Sequence, residues 1–183
     1  MIQTTAELLR IYGSHYGIAK AVSDGELIKV AHGLYSDSSP ETSELETICA
    51  RYPNAVLTME SAFAFYHLSD YVPDRYYMAT LLNAHRIQHE KVIQCFMSNE
   101  LVPIGVTEIM TKNGIIRVYD RERMLIELFR FKNRIPPDYF REVVNSYREL
   151  AKEESIDFRK LASYCRQFKK GSLIKARIEE VVL

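Results

Sequence analysis

Few residues in this 183-residue chain have types and spacings that could do chemistry. His85 and His89 stand four apart, which would suit a metal if they shared a helix face. They fall instead in a polar connection between two apolar runs, so no metal site is assigned. Glu60 and His67 could form an acid–base pair, but residues seven apart on a helix are two turns apart. His67 then reads as a structural residue at a helix end. Asp120-Arg121-Glu122-Arg123 sets two carboxylates beside two guanidiniums. Such neighbours keep carboxylates ionised and paired, as in a salt-bridged helix start rather than a nuclease centre. No GxGxxG, P-loop, GxSxG or CxxC occurs, so no cofactor is implied and the chain does not read as an enzyme. Cys49, Cys95 and Cys165 are odd in number and far apart. They fit reduced thiols, and hence the cytoplasm, better than a disulfide framework. No apolar run approaches the roughly 20 residues that span a bilayer. Glu7 and Arg10 interrupt any secretory pattern.

Two groups of residues remain, both suited to binding. The first is a basic series, Arg121, Arg123, Arg130, Lys132, Arg134 and Arg141. Arg123, Arg130 and Arg134 recur at seven and four residues, a spacing that shares one helix face, and arginine's planar fork suits phosphate or carboxylate. The series is expected to bind a partner or phosphate; an ordinary solvated face is the alternative, since Glu122 and Glu127 intersperse. Charge agrees with a basic half. Residues 1–110 hold 7 Lys and Arg against 13 Asp and Glu, and residues 111–183 hold 17 against 11. The second group is Ser14, His15, Tyr16 and Lys20, followed by Lys29 and His32. These would face DNA if a helix and a ribbon carried them.

The elements that must position this second group are legible. Leu8, Ile11 and Tyr12 lie at i, i+3, i+4, a short helix over 4–12 capped by Thr4 or Thr5. Gly13 is a turn. A second helix runs from Ser14 to Ser23, with Ile18, Ala21 and Val22 inward and Tyr16, Ala19, Lys20 and Ser23 outward. Asp24-Gly25 stops it. Residues 25–35 then read as two strands turning at Ala31-His32-Gly33. Helix, turn, helix and ribbon together make a minimal winged helix-turn-helix over 1–37. Asp37-Ser38-Ser39-Pro40 reads as a linker. Beyond it, 41–183 alternates short strands (55–57, 76–79, 92–97, 104–110, 115–119) with helices (41–52, 58–68, from 120, 136–150, 157–168, 172–181). The fold class is therefore α+β, the second domain a small mixed sheet with a helical C-terminal half.

Three stretches in order resemble the AbiEi-type antitoxins. "YGSHYGIAKAVSDGELIKVAHGLYSD" is similar to that family's winged domain, through Gly25, Leu27, Lys29, Val30, Gly33 and Tyr35. "RYPNAVLTMESAFAFYHLSD" resembles the opening of its second domain, through Ala62, His67 and Leu68. "VYDRERMLIELFRFKNRIPPDYFREVVNSY" resembles a later helix pair, through Asp120, Glu122 and Arg123. The resemblance covers residues 2–150. It implies a sequence-specific DNA-binding autorepressor that is also the antitoxin of a type IV toxin–antitoxin pair, a phage-defence system acting by abortive infection. Its partners would be operator DNA and a nucleotidyltransferase-like toxin. The chain departs from the family in having almost nothing before Thr4, so the usual first helix is expected to be missing or very short, and little room follows residue 150. Two other readings stay open: a protein-interaction module that binds its partner without autonomous DNA binding, and an enzyme acting on nucleic acid.

Overall fold

A computed structural model describes residues 1–37 and 43–183. Beyond Asp37, the expected linker lies outside the described residues, as does the start of the helix read from Glu41. The chain is α+β, with eight α-helices and two sheets among the described residues. It divides into two compact units, residues 1–55 with 108–117, and residues 56–107 with 118–183.

The first unit opens with β1 (Ile2–Thr4), α1 (Thr5–Tyr12) and α2 (His15–Ser23). Thr4 and Glu7 form a reciprocal capping box on α1. Gly13 closes α1 at φ 72°, the left-handed conformation that glycine adopts without steric cost. Ser14 then caps α2, its Oγ accepting from the Gly17 N–H at 3.1 Å. Next come β2 (Ile28–Ala31), β3 (Leu34–Ser36) and α3 (Glu44–Arg51), the last opened by a second capping box of Ser43 and Glu46. The ribbon is antiparallel, with an irregular register between Lys29 and Ala31. β3 also pairs with β1 through Ile2↔Ser36, Gln3↔Tyr35 and Thr4↔Leu34. The residues before Thr4 are thus a strand, and the sheet is three-stranded, in the order β1-β3-β2. Leu8, Ile18, Ala21 and Leu27 are its buried core, flanked by Leu9, Tyr12, Val22 and Tyr35. Ile11, expected on the inner face of α1, is 63% exposed. The helix seats Leu8 and Tyr12, one turn apart, and Ile11 falls 100° away from Tyr12.

The second unit contains β4 (Val56–Leu57), α4 (Met59–Phe65), β5 (Tyr76–Leu81) and β6 (Val92–Met97). β7 (Val106–Met110) and β8 (Ile115–Tyr119) follow, and the end of their hairpin, residues 108–117, groups with the first unit. The sheet order is β6-β5-β4-β8-β7. It is mixed: β4 is antiparallel to β5 and parallel to β8, and β5 is parallel to β6 over six residue pairs. The β5–β6 crossover contains no helix, and the Gln94 side chain anchors it. Its Oε1 accepts from the Ile87 N–H, and its Nε2 donates to Thr80 Oγ1 and the His85 carbonyl. Four helices complete the unit: α5 (Arg121–Arg130), α6 (Pro137–Lys152), α7 (Phe158–Cys165) and α8 (Gly171–Val182). α5 is the central one, packed by α4, α7 and α8, and every residue from Glu122 to Phe129 is buried.

Candidate nucleic-acid interface

The α2 surface is built by local rules. Ser14 holds the helix start. Ile18 and Ala21 are 3% and 4% exposed, and they fix which side faces in. His15, Tyr16, Ala19, Lys20 and Ser23 face solvent, Tyr16 at 79% exposure. Gly17 permits the close approach of α1, since a Cβ there would stand 2.6 Å from the Tyr12 carbonyl oxygen. Leu27 and Tyr35 join the same cluster and so tie the ribbon to α2. Lys29 and His32 are exposed on the ribbon. An α-helix with an outward face of this kind fits a major groove, where the residues near its N-terminus reach base edges.

Arg51 escaped the sequence reading. It lies at the end of α3, and its guanidinium donates to the His32 carbonyl at 2.5 Å, which brings a cation to the ribbon turn. Nineteen residues separate the two, so no local periodicity could have paired them.

The basic series does not form one face. Arg123 is fully buried. Its Nε donates to Glu127 Oε1 at 2.8 Å, and its Nη1 to the Leu101 and Ile104 carbonyls at 2.8 and 2.9 Å. Its guanidinium carbon lies 4.4 Å from the Tyr119 ring centroid and 4.6 Å from that of Phe168. Arg130 is half-buried and grips both oxygens of the buried Glu127. Arg121 is half-buried, 5.5 Å from the Tyr66 ring centroid. Helical spacing places Arg123 and Arg130 on one side of α5, as expected, but that side is enclosed by the chain's own aromatic rings and carbonyls. Lys132 and Arg134 lie in a separate 3-10 turn, exposed, over Phe140 and Phe131. Arg141 is exposed and meets Asp138 at 3.6 Å. Three cations of the six, Lys132, Arg134 and Arg141, are therefore exposed.

The acidic residues at the start of α5 find another partner than the flanking arginines. Asp120 caps α5 by accepting from the Arg123 N–H, and it also accepts from Tyr164 OH at 2.9 Å. Lys160 Nζ bridges Asp120 and Glu122 at 3.0 and 3.2 Å. Burial works against the Lys160 charge, but the two carboxylates outweigh it and raise its pKa. His67 stands at φ 55°, exposed, beyond the end of α4. Thr58 occupies the cap position of α4 without a capping bond; its hydroxyl points to Met124 Sδ instead. His85 and His89 lie in the β5–β6 crossover rather than on a helix. Cys49, Cys95 and Cys165 are free, and burial pushes all three thiols up, Cys49 to about 12 and Cys95 to about 11. No helix among the described residues is long and apolar enough to cross a membrane.

No family model matches this chain, and no curated protein matches it.

Proposed function

We propose that the chain is a cytoplasmic DNA-binding transcriptional regulator that reads DNA through α2, with the β2–β3 ribbon as its wing. One observation carries the reading: Tyr16 is 79% exposed on a helix whose opposite side is fixed by Ile18 and Ala21. A large aromatic held in water beside His15 and Lys20 has no role in the core. The capped Gly13-Ser14 turn before α2 supports the same reading. The resemblance in residues 2–150 extends the proposal to autorepression and to neutralisation of a nucleotidyltransferase-like toxin by the second unit.

Fluorescence anisotropy with the duplex upstream of the chain's own gene tests the first part. Saturable binding that Tyr16→Ala and Lys20→Ala weaken is the expected result; equal affinity for a scrambled duplex would reject sequence-specific reading. Co-expression with an adjacent nucleotidyltransferase-like gene tests the second part, with rescued growth expected.

Charge favours a second reading, a module that binds protein without binding DNA by itself. The first unit carries six Lys and Arg against eight Asp and Glu, a net of −2. Phosphate neutralisation supplies much of DNA affinity. Rescued growth with no measurable binding to the upstream duplex would support this reading over the first.

A further inference from the structure

We propose that a cleft in the second unit binds a small zwitterion, its cationic nitrogen on Glu60 and its acid group on Arg134. The cleft has a volume of about 650 Å³ and is lined by Met59, Glu60, Tyr77, Cys95, Phe131 and Arg134 among others. That volume suits a small organic molecule. None of the residues proposed to read DNA on α2 and the ribbon lines this cleft.

Glu60 is the anchor. Its Oε2 is buried and has no hydrogen-bond partner. An ionised carboxylate has only acceptor sites, and leaving one buried without a donor is costly. Burial also pushes the Glu60 pKa up, as expected where no cation faces it. The preceding residue, Met59, is held at φ 48°, a left-handed conformation that a non-glycine residue rarely adopts. Such strain gathers where a side chain must be aimed. The helix that carries Glu60 is fixed as well: Ser61 accepts from the Tyr77 N–H and donates to the Arg75 carbonyl, tying α4 to the β5 end of the sheet.

The remaining lining decides what kind of ligand fits. Arg130 is committed to Glu127 through both carboxylate oxygens. Arg134 is exposed, rests against the Phe131 ring, and has no ion pair among the described residues. Gln94 is fully engaged with the crossover. The Cys95 thiol is pushed up to about 11 and is neutral. Among the described residues that line the cleft, the Glu60 carboxylate and the Arg134 guanidinium are charged groups without an ion pair, and Phe131 and Met59 belong to its apolar lining. A ligand with a single charge would leave one of the two unmatched.

Calorimetric titration of the full chain with 4-amidinobenzoate, benzamidine and benzoate tests this. The zwitterion should bind, and each single-charge analogue should bind roughly tenfold more weakly, as the loss of one charge-assisted hydrogen bond implies. Glu60→Gln should reduce 4-amidinobenzoate to the affinity of benzoate. Arg134→Ala should reduce it to that of benzamidine, and this exposed position keeps the test valid should the Glu60 variant fold poorly. Absence of 4-amidinobenzoate binding at about 10 mM, well above the millimolar range of weak ligands, would overturn the proposal. So would affinity unchanged in the Arg134 variant.

Discussion

Arg123 shows how a charged residue can be more structural than the leucines around it. Fully buried, it satisfies two carbonyls of the 101–104 turn, pairs with Glu127 and is sandwiched by two rings. Arg123→Ala would orphan all of these and leave Glu127 with Arg130 alone. We expect a loss of about 3–5 kcal/mol, as for a broken buried pair, seen as a lower urea midpoint at unchanged slope. Arg134→Ala, four residues past the end of α5 and exposed, should change stability by less than about 0.5 kcal/mol. Gly105 adds a steric constraint on the same side chain. It sits at φ 75°, and a Cβ there would come within 2.5 Å of Arg123 Cβ.

Glu46 gives a pH dependence at this scale. Burial opposes its ionisation, but hydrogen bonds from Asn113, Thr111 and Ser43 prevail and bring its pKa from 4.5 to about 2. The fold thus prefers the ionised form. The stabilisation is complete above about pH 4.5 and is lost as pH falls toward 2. Glu46→Gln should therefore unfold more readily than wild type at pH 7, with the gap closing as acid denaturation curves approach pH 2. A gap that persists at pH 2 would show that packing, not charge, is responsible.

Among the elements, the α1–α2 pair depends on one glycine and two caps. Gly17→Ala would press its Cβ against the Tyr12 carbonyl, and neither helix can yield cheaply. We expect about 1–3 kcal/mol of destabilisation, the usual cost of overpacking, and lost DNA binding with it. Tyr16→Ala should leave the thermal midpoint nearly unchanged, because the side chain is mostly in water. Lys20→Ala and Lys29→Ala should each lower the salt dependence of DNA binding by about 0.9 in the log–log slope, if each meets one phosphate. Isotherms identical to wild type across a salt series would remove that residue from the interface.

For the whole molecule, the zero net charge conceals opposed parts. The first unit carries −2 and the second therefore +2. With Lys20, Lys29 and Arg51 as the cations on or beside the proposed reading surface, DNA binding through these three should show a log–log salt slope no steeper than about −3. A steeper slope would mean that cations away from this surface also meet DNA, among them Arg10, Lys112 and Arg117 of the first unit or Lys132, Arg134 and Arg141 of the second.

What the sequence by itself determined is what short-range hydrogen bonding controls. Thr4 with Glu7, Ser14 with Gly17 and Asp120 with Arg123 each close a loop of three residues. The Gly13 turn, the ribbon and most helix starts were legible for that reason. Tertiary structure alone decided which side of α5 is enclosed, because Arg123 is held by carbonyls 19 and 22 residues away and by Phe168. It also decided that residues 2–4 pair with β3, that Arg51 reaches the ribbon turn and that Glu60 shares a cleft with Arg134. Periodicity specifies that residues share a face; whether that face meets water or the rest of the chain depends on partners distant in sequence, which periodicity does not encode.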